Sequence, residues 1–334
     1  MRDTPMDGRH GKHEGPARGS WAREAWRGLV PIAVATGAVL VIGGGFDVLE
    51  RHHGAAKSRS AKAAADAGPA APGLVAGVVA DGSALVVRDT GTGADTGLPI
   101  APPPGRRFTR VASGPDGSFV VASAGGGRVT FHRLNLDDDG RAEALVPLPE
   151  AVVPGESAEW SDLAVASDGR IAYVTYEGKR GTIAVVEPGT GARKSWPAAS
   201  QGRVGGLSWS GDALSFVWTA AGKTQVRTID TAASAGDLKS SETVATLPSG
   251  TAAAFLRPDG TTIVTGRVQD ANLVLQAYSP TGEPGQILWK HPIKGAPTVR
   301  ALDPAENGAL LALAGDLYGP AGPLPGKDLA DAAW

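Results

Sequence analysis

From residue 74 onward, apolar stretches alternate with short turns written Pro-Asp-Gly or close to it, each followed by a second, β-branched run. The unit is seen in "RVASGPDGSFVVAS" (110–123), "DLAVASDGRIAYVT" (162–175), "GLSWSGDALSFVW" (206–218), "AAFLRPDGTTIVTG" (253–266) and "RALDPAENGALLAL" (300–313). Runs of this length and composition, closed by Gly and Asp, predict strands and not helices. Asp-Gly suits the turn because Asp bonds its own backbone while Gly accepts a positive φ. Tyr173 and Phe216 fall at alternating positions inside the second run and are expected in the core. The turn residues Asp116, Asp168, Asp212, Asp259 and Asn307 are spaced 52, 44, 47 and 48 apart. A strand-built period in the forties predicts a β-propeller with one four-stranded blade per unit.

Further strands follow each pair. "TIAVVEPGTGARKSW" (182–196) and "NLVLQAYSPTGEPGQILW" (272–289) read as outer hairpins, which places five blades at about 106–150, 156–200, 201–250, 251–296 and 297–328. Ahead of residue 106 the sequence offers three strands without an inner one. The segment "KDLADAAW" (327–334) resembles the inner-strand openings "GESAEW" and "VGGLSW". The fold expected is therefore all-β, a six-bladed propeller over 74–334 with seven blades as the alternative count. Residues 329–334 would pair beside 74–82 and bury Trp334, closing the ring and removing two exposed sheet edges.

Residues 1–28 are polar and lack an apolar period, so they read as a disordered tail. "LVPIAVATGAVLVIGGGF" (29–46) is 18 residues without a charge. A helix of that length spans about 27 Å, enough for a bilayer core. Trp21 and Trp26 stand where interfacial aromatics belong. A single transmembrane helix over 29–48 is the reading, with a cleaved signal peptide as its rival; Gly43-Gly44-Gly45 alone resembles a cleavage site. Residues 49–73 are rich in Ala, Gly and Pro and read as a tether. Lys and Arg number three before the span and four after it within about 15 residues, so charge barely sets its orientation. By analogy with exported bacterial domains, the expected location is the cell membrane, single-pass, with the propeller extracytoplasmic.

Composition narrows the chemistry. With no Cys among 334 residues, disulfides, thiolate metal sites and cysteine nucleophiles are excluded. Gly (47) and Pro (25) are abundant, as many short turns require. Residues 1–73 hold 10 Lys+Arg against 7 Asp+Glu, and residues 74–334 hold 22 against 27, a net −5. That balance lacks the basic footprint of a nucleic-acid binder, so no nucleic-acid partner is expected.

The Pro-Asp-Gly turns followed by "VVAS" or "IAYVT", then "IAVVEPGTGA", resemble the WD40-like, TolB-type propellers of bacteria over roughly residues 74–334. The Gly-His and Trp-Asp dipeptides of true WD40 repeats are missing. The resemblance implies a module that mediates protein contacts, with a partner protein that the sequence does not identify.

Candidate chemistry is sparse. In "NLDDDGRAE", Asn135, Asp137, Asp139 and Glu143 stand at positions 1, 3, 5 and 9 with Gly140 at 6, the oxygen spacing of a calcium loop, and Ca²⁺ is the one cofactor the sequence suggests. The EF-hand form fails, since position 12 is Val146; a solvated hairpin tip is the alternative. His132 and His291 are isolated and read as hydrogen-bonded sheet residues. "GLSWSG" has Ser210 where a nucleophile elbow needs Gly. "GTGADTG" (91–97) misses dinucleotide spacing and reads as a turn. Trp160, Trp209, Trp218 and Trp289 could line a binding face, but they recur at equivalent places of the repeat and are expected between blades. Three functions stay open: a protein-interaction module, a propeller hydrolase or lyase using carboxylates or a metal in the central channel, and a ligand sensor. Convergence of acidic and His side chains in the channel discriminates the second.

Overall fold

The computed structural model describes residues 69–295, 297–305, 307–325 and 328–334, arranged as six antiparallel sheets. Blade one begins with β1 (Leu74–Val79) and β2 (Leu85–Asp89). Blade two holds β3 (Arg107–Ser113), β4 (Phe119–Gly125), β5 (Arg128–Leu134) and β6 (Val146–Pro154). Blade three holds β7 (Leu163–Val165), β8 (Ile171–Glu177), β9 (Arg180–Val186) and β10 (Arg193–Pro197). Blade four holds β11 (Arg203–Ser210), β12 (Ala213–Ala220), β13 (Lys223–Asp230) and β14 (Glu242–Leu247). Blade five holds β15 (Ala253–Leu256), β16 (Ile263–Gln269), β17 (Asn272–Tyr278) and β18 (Pro284–Pro292). Blade six holds β19 (Ala301–Pro304), β20 (Leu310–Ala314), β21 (Asp316–Gly319) and β22 (Gly322–Leu324). The last strand, β23 (Leu329–Ala333), returns to blade one.

The inner strands touch in the order β23, β3, β7, β11, β15, β19 and back to β23, so the ring is closed. Closure follows the predicted pairing of 329–334 with 74–82: Ala76 faces Ala333, Gly77 faces Ala332 and Val79 faces Leu329. Trp334 is 7% exposed and packs with Leu311, Leu313 and Leu317 at the seam of blades six and one. The turns use the expected chemistry. Asp259 Oδ1 accepts from the Thr261 amide at 2.9 Å, Asp168 Oδ1 from the Arg170 amide at 3.1 Å, and Gly117 sits at φ 70°.

The core lies between blades, because each sheet is apolar on both faces. Between blades three and four, Tyr176, Ile183, Trp196, Val204, Trp209, Phe216 and Trp218 form one cluster. Tyr173 and Phe216 are fully buried, as their alternation predicts.

Blade one departs from expectation. Its sheet has three strands, ordered β2, β1, β23, and the predicted outer strand is reduced to two isolated bridges, Leu85 with Ile100 and Arg88 with Asp95. Pro99 and Pro102–Pro104 explain the loss, since proline has no N–H to give to a ladder. At the other end of the predicted tether, the Thr90 side chain donates to the Pro72 carbonyl at 2.7 Å and Asn307 Nδ2 to that of Ala70 at 2.9 Å. Residues 70–73 are thus fixed against blades one and six. The predicted tail 1–28, the helix 29–48 and the tether up to residue 68 lie outside the described residues. Among those described, no helix is long and apolar enough to cross a membrane.

Candidate functional site

The inner strands enclose a central channel of about 1400 Å³. Charged residues on its wall are placed by the repeat. Counted along the inner strands, Asp331, Arg110 and Asp162 occupy matching places of blades one, two and three. Each aspartate offers an oxygen to the inner strand of the next blade. Asp331 Oδ2 accepts from the Val111 amide at 2.8 Å, and Asp162 Oδ2 from the Leu207 amide at 2.9 Å. In blade six, Asp303 Oδ2 likewise accepts from the Trp334 amide at 3.1 Å. The inner strands have no partner on their channel side, so these carboxylates satisfy amides that would otherwise go unpaired. Arg110 instead binds carbonyls, donating to Thr109 O at 2.6 Å and to Ser161 O and Glu159 O.

Removal from bulk water sets the electrostatics. Burial pushes Asp303 up to about 8, against the Trp334 amide, with Asp331 and Asp162 adding like charge. Burial also lifts Asp331 to about 7, with the Arg110 guanidinium opposing the rise. Asp162 is raised for the same first reason, against the Leu207 amide and Arg110. The wall therefore holds three aspartates with a weakened acidity and one arginine beside two of them. None of these contacts was legible beforehand; the repeated acid three residues before Val165 and before Trp334 was the available signal.

At the mouth where the inner strands begin, Glu159, Trp160, Arg203 and Arg300 line the rim. Arg300 Nη2 lies 3.6 Å from Glu159 Oε1, a pair joining blades six and three, which face each other across the ring. Trp160 corrects a sequence expectation. It is 41% exposed in the turn before β7, not packed between blades, and touches Tyr176 edge-on at 6.3 Å between ring centroids. "GESAEW" resembles an inner-strand opening, but the strand starts only at Leu163, so Trp160 falls outside it. Trp209 and Trp218 are buried between blades as expected, and Trp289 packs partly buried in the cluster of blades five and six.

The four residues of the calcium pattern sit on one hairpin between β5 and β6, closed by the bridge of Leu136 with Ala142. Asp137 Oδ1 accepts from the Asp139 amide at 3.0 Å and the Arg141 amide at 2.8 Å. Asp139 pairs with Arg141 Nη1 at 2.9 Å, and the Glu143 amide donates to the Asn135 carbonyl at 2.9 Å. Among the described residues no group of three or more His, Cys, Asp or Glu side chains is placed to hold a metal ion. His132 Nε2 meets Ser123 Oγ at 3.1 Å, and His291 Nε2 meets the Gly319 carbonyl at 3.0 Å. Both are the hydrogen-bonded sheet histidines expected. Ser210 Oγ donates to the Pro258 carbonyl at 2.5 Å, a bond between blades four and five.

No known family profile matches the sequence, and no curated protein matches it. Solved structures do match in fold. TolB from Acinetobacter baumannii superposes with a TM-score of 0.51 at 18% identity, over 78% of this chain and 66% of that one. A protein of unknown function from Bacteroides caccae gives 0.50 at 10% identity, over 79% and 98% respectively. This chain thus spans just under two thirds of the TolB chain, and at such identities what the two share is the TolB-like β-propeller fold.

Proposed function

We propose that the chain is a single-pass, membrane-anchored protein whose extracytoplasmic propeller is a protein-interaction module that docks its partner on the rim bearing Trp160. One observation carries this reading: a large aromatic stands 41% exposed at the channel mouth, among Glu159, Arg203 and Arg300. A solvent-exposed tryptophan ringed by charge has the make-up of an interface anchor. The anchor rests on the apolar residues 29–46 with Trp21 and Trp26 beside them, and its orientation on analogy with exported bacterial domains. Protease accessibility of the propeller on intact cells tests them.

The rim is tested by cross-linking the full-length chain in its own cell envelope and identifying captured proteins by mass spectrometry. A partner lost with Trp160→Ala and Arg300→Glu, but kept with Ile287→Ala on the outer face of blade five, supports the rim. A partner indifferent to both rim changes refutes it. The enzyme reading draws on the same channel, but its aspartates are engaged by backbone amides and by Arg110, which favours a structural use. Calcium binding by Asn135, Asp137, Asp139 and Glu143 is tested by melting with and without millimolar Ca²⁺. An unchanged melt in the native protein ends that reading.

A further inference from the structure

The proline-rich segment that spoils the outer strand of blade one leaves a pocket behind. With no regular strand over Ala101–Pro104, the blade-one side of β5 and β6 is left partly uncovered, and a cavity of about 540 Å³ opens there. Pro102 and Pro103 form one wall, Pro147 and Leu148 the other, and Arg106 and His132 bring the polar groups. The volume falls in the range of small-molecule sites, and so does the make-up, apolar walls with a few converging polar groups.

His132 is the unusual member. It is 7% exposed, and its Nε2 is held by Ser123 Oγ, which also takes Arg106 Nε at 3.0 Å and lies 3.0 Å from Thr130 Oγ1. For the other ring nitrogen, Nδ1, no protein partner is found among the described residues, and the residue lines the pocket. A buried polar atom left open to a cavity is a place for a ligand to complete. Arg106 donates to Gly125 O, Ser123 O and Arg128 O besides Ser123 Oγ, which fixes its positive charge at the pocket and leaves one N–H free. Arg106 and His132 are the titratable groups lining the cavity.

We propose that this pocket binds a small apolar carboxylic acid, its hydrocarbon part between the prolines and its carboxylate at His132 Nδ1 beside Arg106. Burial first, and the Arg106 charge second, hold the His132 ring below its usual range, so the ring is neutral at pH 7 beside the positive Arg106. An arriving carboxylate reverses that balance and favours the imidazolium. Binding therefore takes up one proton onto Nδ1, and affinity rises as pH falls.

The test uses 4-fluorobenzoate with the purified full-length chain, followed by fluorine NMR at pH 5.5 and pH 8. Ala101→Trp, at an exposed position on the rim of the pocket, fills it without touching the core and serves as the blank. The expected result is binding to the native protein that is about tenfold tighter at pH 5.5 than at pH 8. Ala101→Trp should abolish it, and His132→Gln should leave weak binding without the pH dependence. The proposal is overturned by no binding at millimolar probe at either pH. It is equally overturned by binding that Ala101→Trp does not reduce, or by a pH dependence that survives His132→Gln.

Discussion

Single residues carry the ring at points where the backbone comes close to itself. Gly206 holds φ +60°, and a Cβ there would lie 1.9 Å from the Ala254 carbonyl oxygen of the next blade. Gly206→Ala thus adds a clash between inner strands to left-handed strain, and a loss of about 3 kcal/mol is expected in denaturant melts. Gly222 has φ +76° but open space around it, so Gly222→Ala should cost only about 1 kcal/mol. Equal costs would show that close approach at Gly206 is not what matters. The channel aspartates make a prediction about pH. Their acidity is weaker in the folded chain, so the folded state keeps protons that the unfolded chain releases above about pH 4. Stability from these groups is therefore greatest at low pH and declines as pH rises through about 7 for Asp331 and about 8 for Asp303. Each group loses up to about 1.4 kcal/mol per pH unit in that window. Asp303→Asn keeps an oxygen for the Trp334 amide and has no proton to lose, so its melting temperature should fall less between pH 5 and 8.5. Calorimetry showing the same slope as the native protein would rule this out.

At the scale of elements, hairpins and blade edges divide into those the sequence announces and those it hides. The hairpin of residues 135–143 depends on Asp137, whose one oxygen takes two amides, and it reaches blade one through the Thr96 hydroxyl donating to Gly140 O at 2.8 Å. Asp137→Ala should destabilise the chain by about 1 kcal/mol in the absence of any metal, while Asp137→Asn, which keeps an acceptor, should be near neutral in thermal melts. Two equal effects would point to the charge instead of the turn. The inner and second strands were legible because Asp-Gly turns and alternating apolar residues are local signals. The outer strand of blade one was not, because its alternation survives while its prolines remove the ladder donors. Trp160 was misjudged for a related reason: repeat spacing places a residue near a strand, but only the strand's actual start, Leu163, decides whether it faces a neighbouring blade. The amide-to-aspartate bonds join residues up to 220 positions apart, and no local pattern carries such pairings.

The whole ring of blades is held shut by β23, and the forces on that strand can be separated. It pairs with β1 and sends Asp331 to the Val111 amide of blade two. The Trp334 amide goes to Asp303 of blade six, and the Trp334 carbonyl takes Ser113 Oγ at 2.6 Å. One short strand thus touches three blades, so its loss is not a local event. Removing residues 329–334 exposes the inner edge of β1 and uncovers Leu311, Leu313 and Leu317, which pack on Trp334. An open sheet edge beside bare apolar surface invites pairing between chains. The truncated chain should melt well below the native protein and aggregate in size-exclusion runs. Trp334→Ala leaves the backbone pairing intact and isolates the packing, and about 3–5 kcal/mol is the expected loss for a buried tryptophan. If closure by β23 organises the ring, the truncation must cost clearly more than Trp334→Ala, since it also removes the ladder and both aspartate bonds. A truncated chain that melts like Trp334→Ala would mean that packing of one side chain, and not closure of the ring, holds blades six and one together.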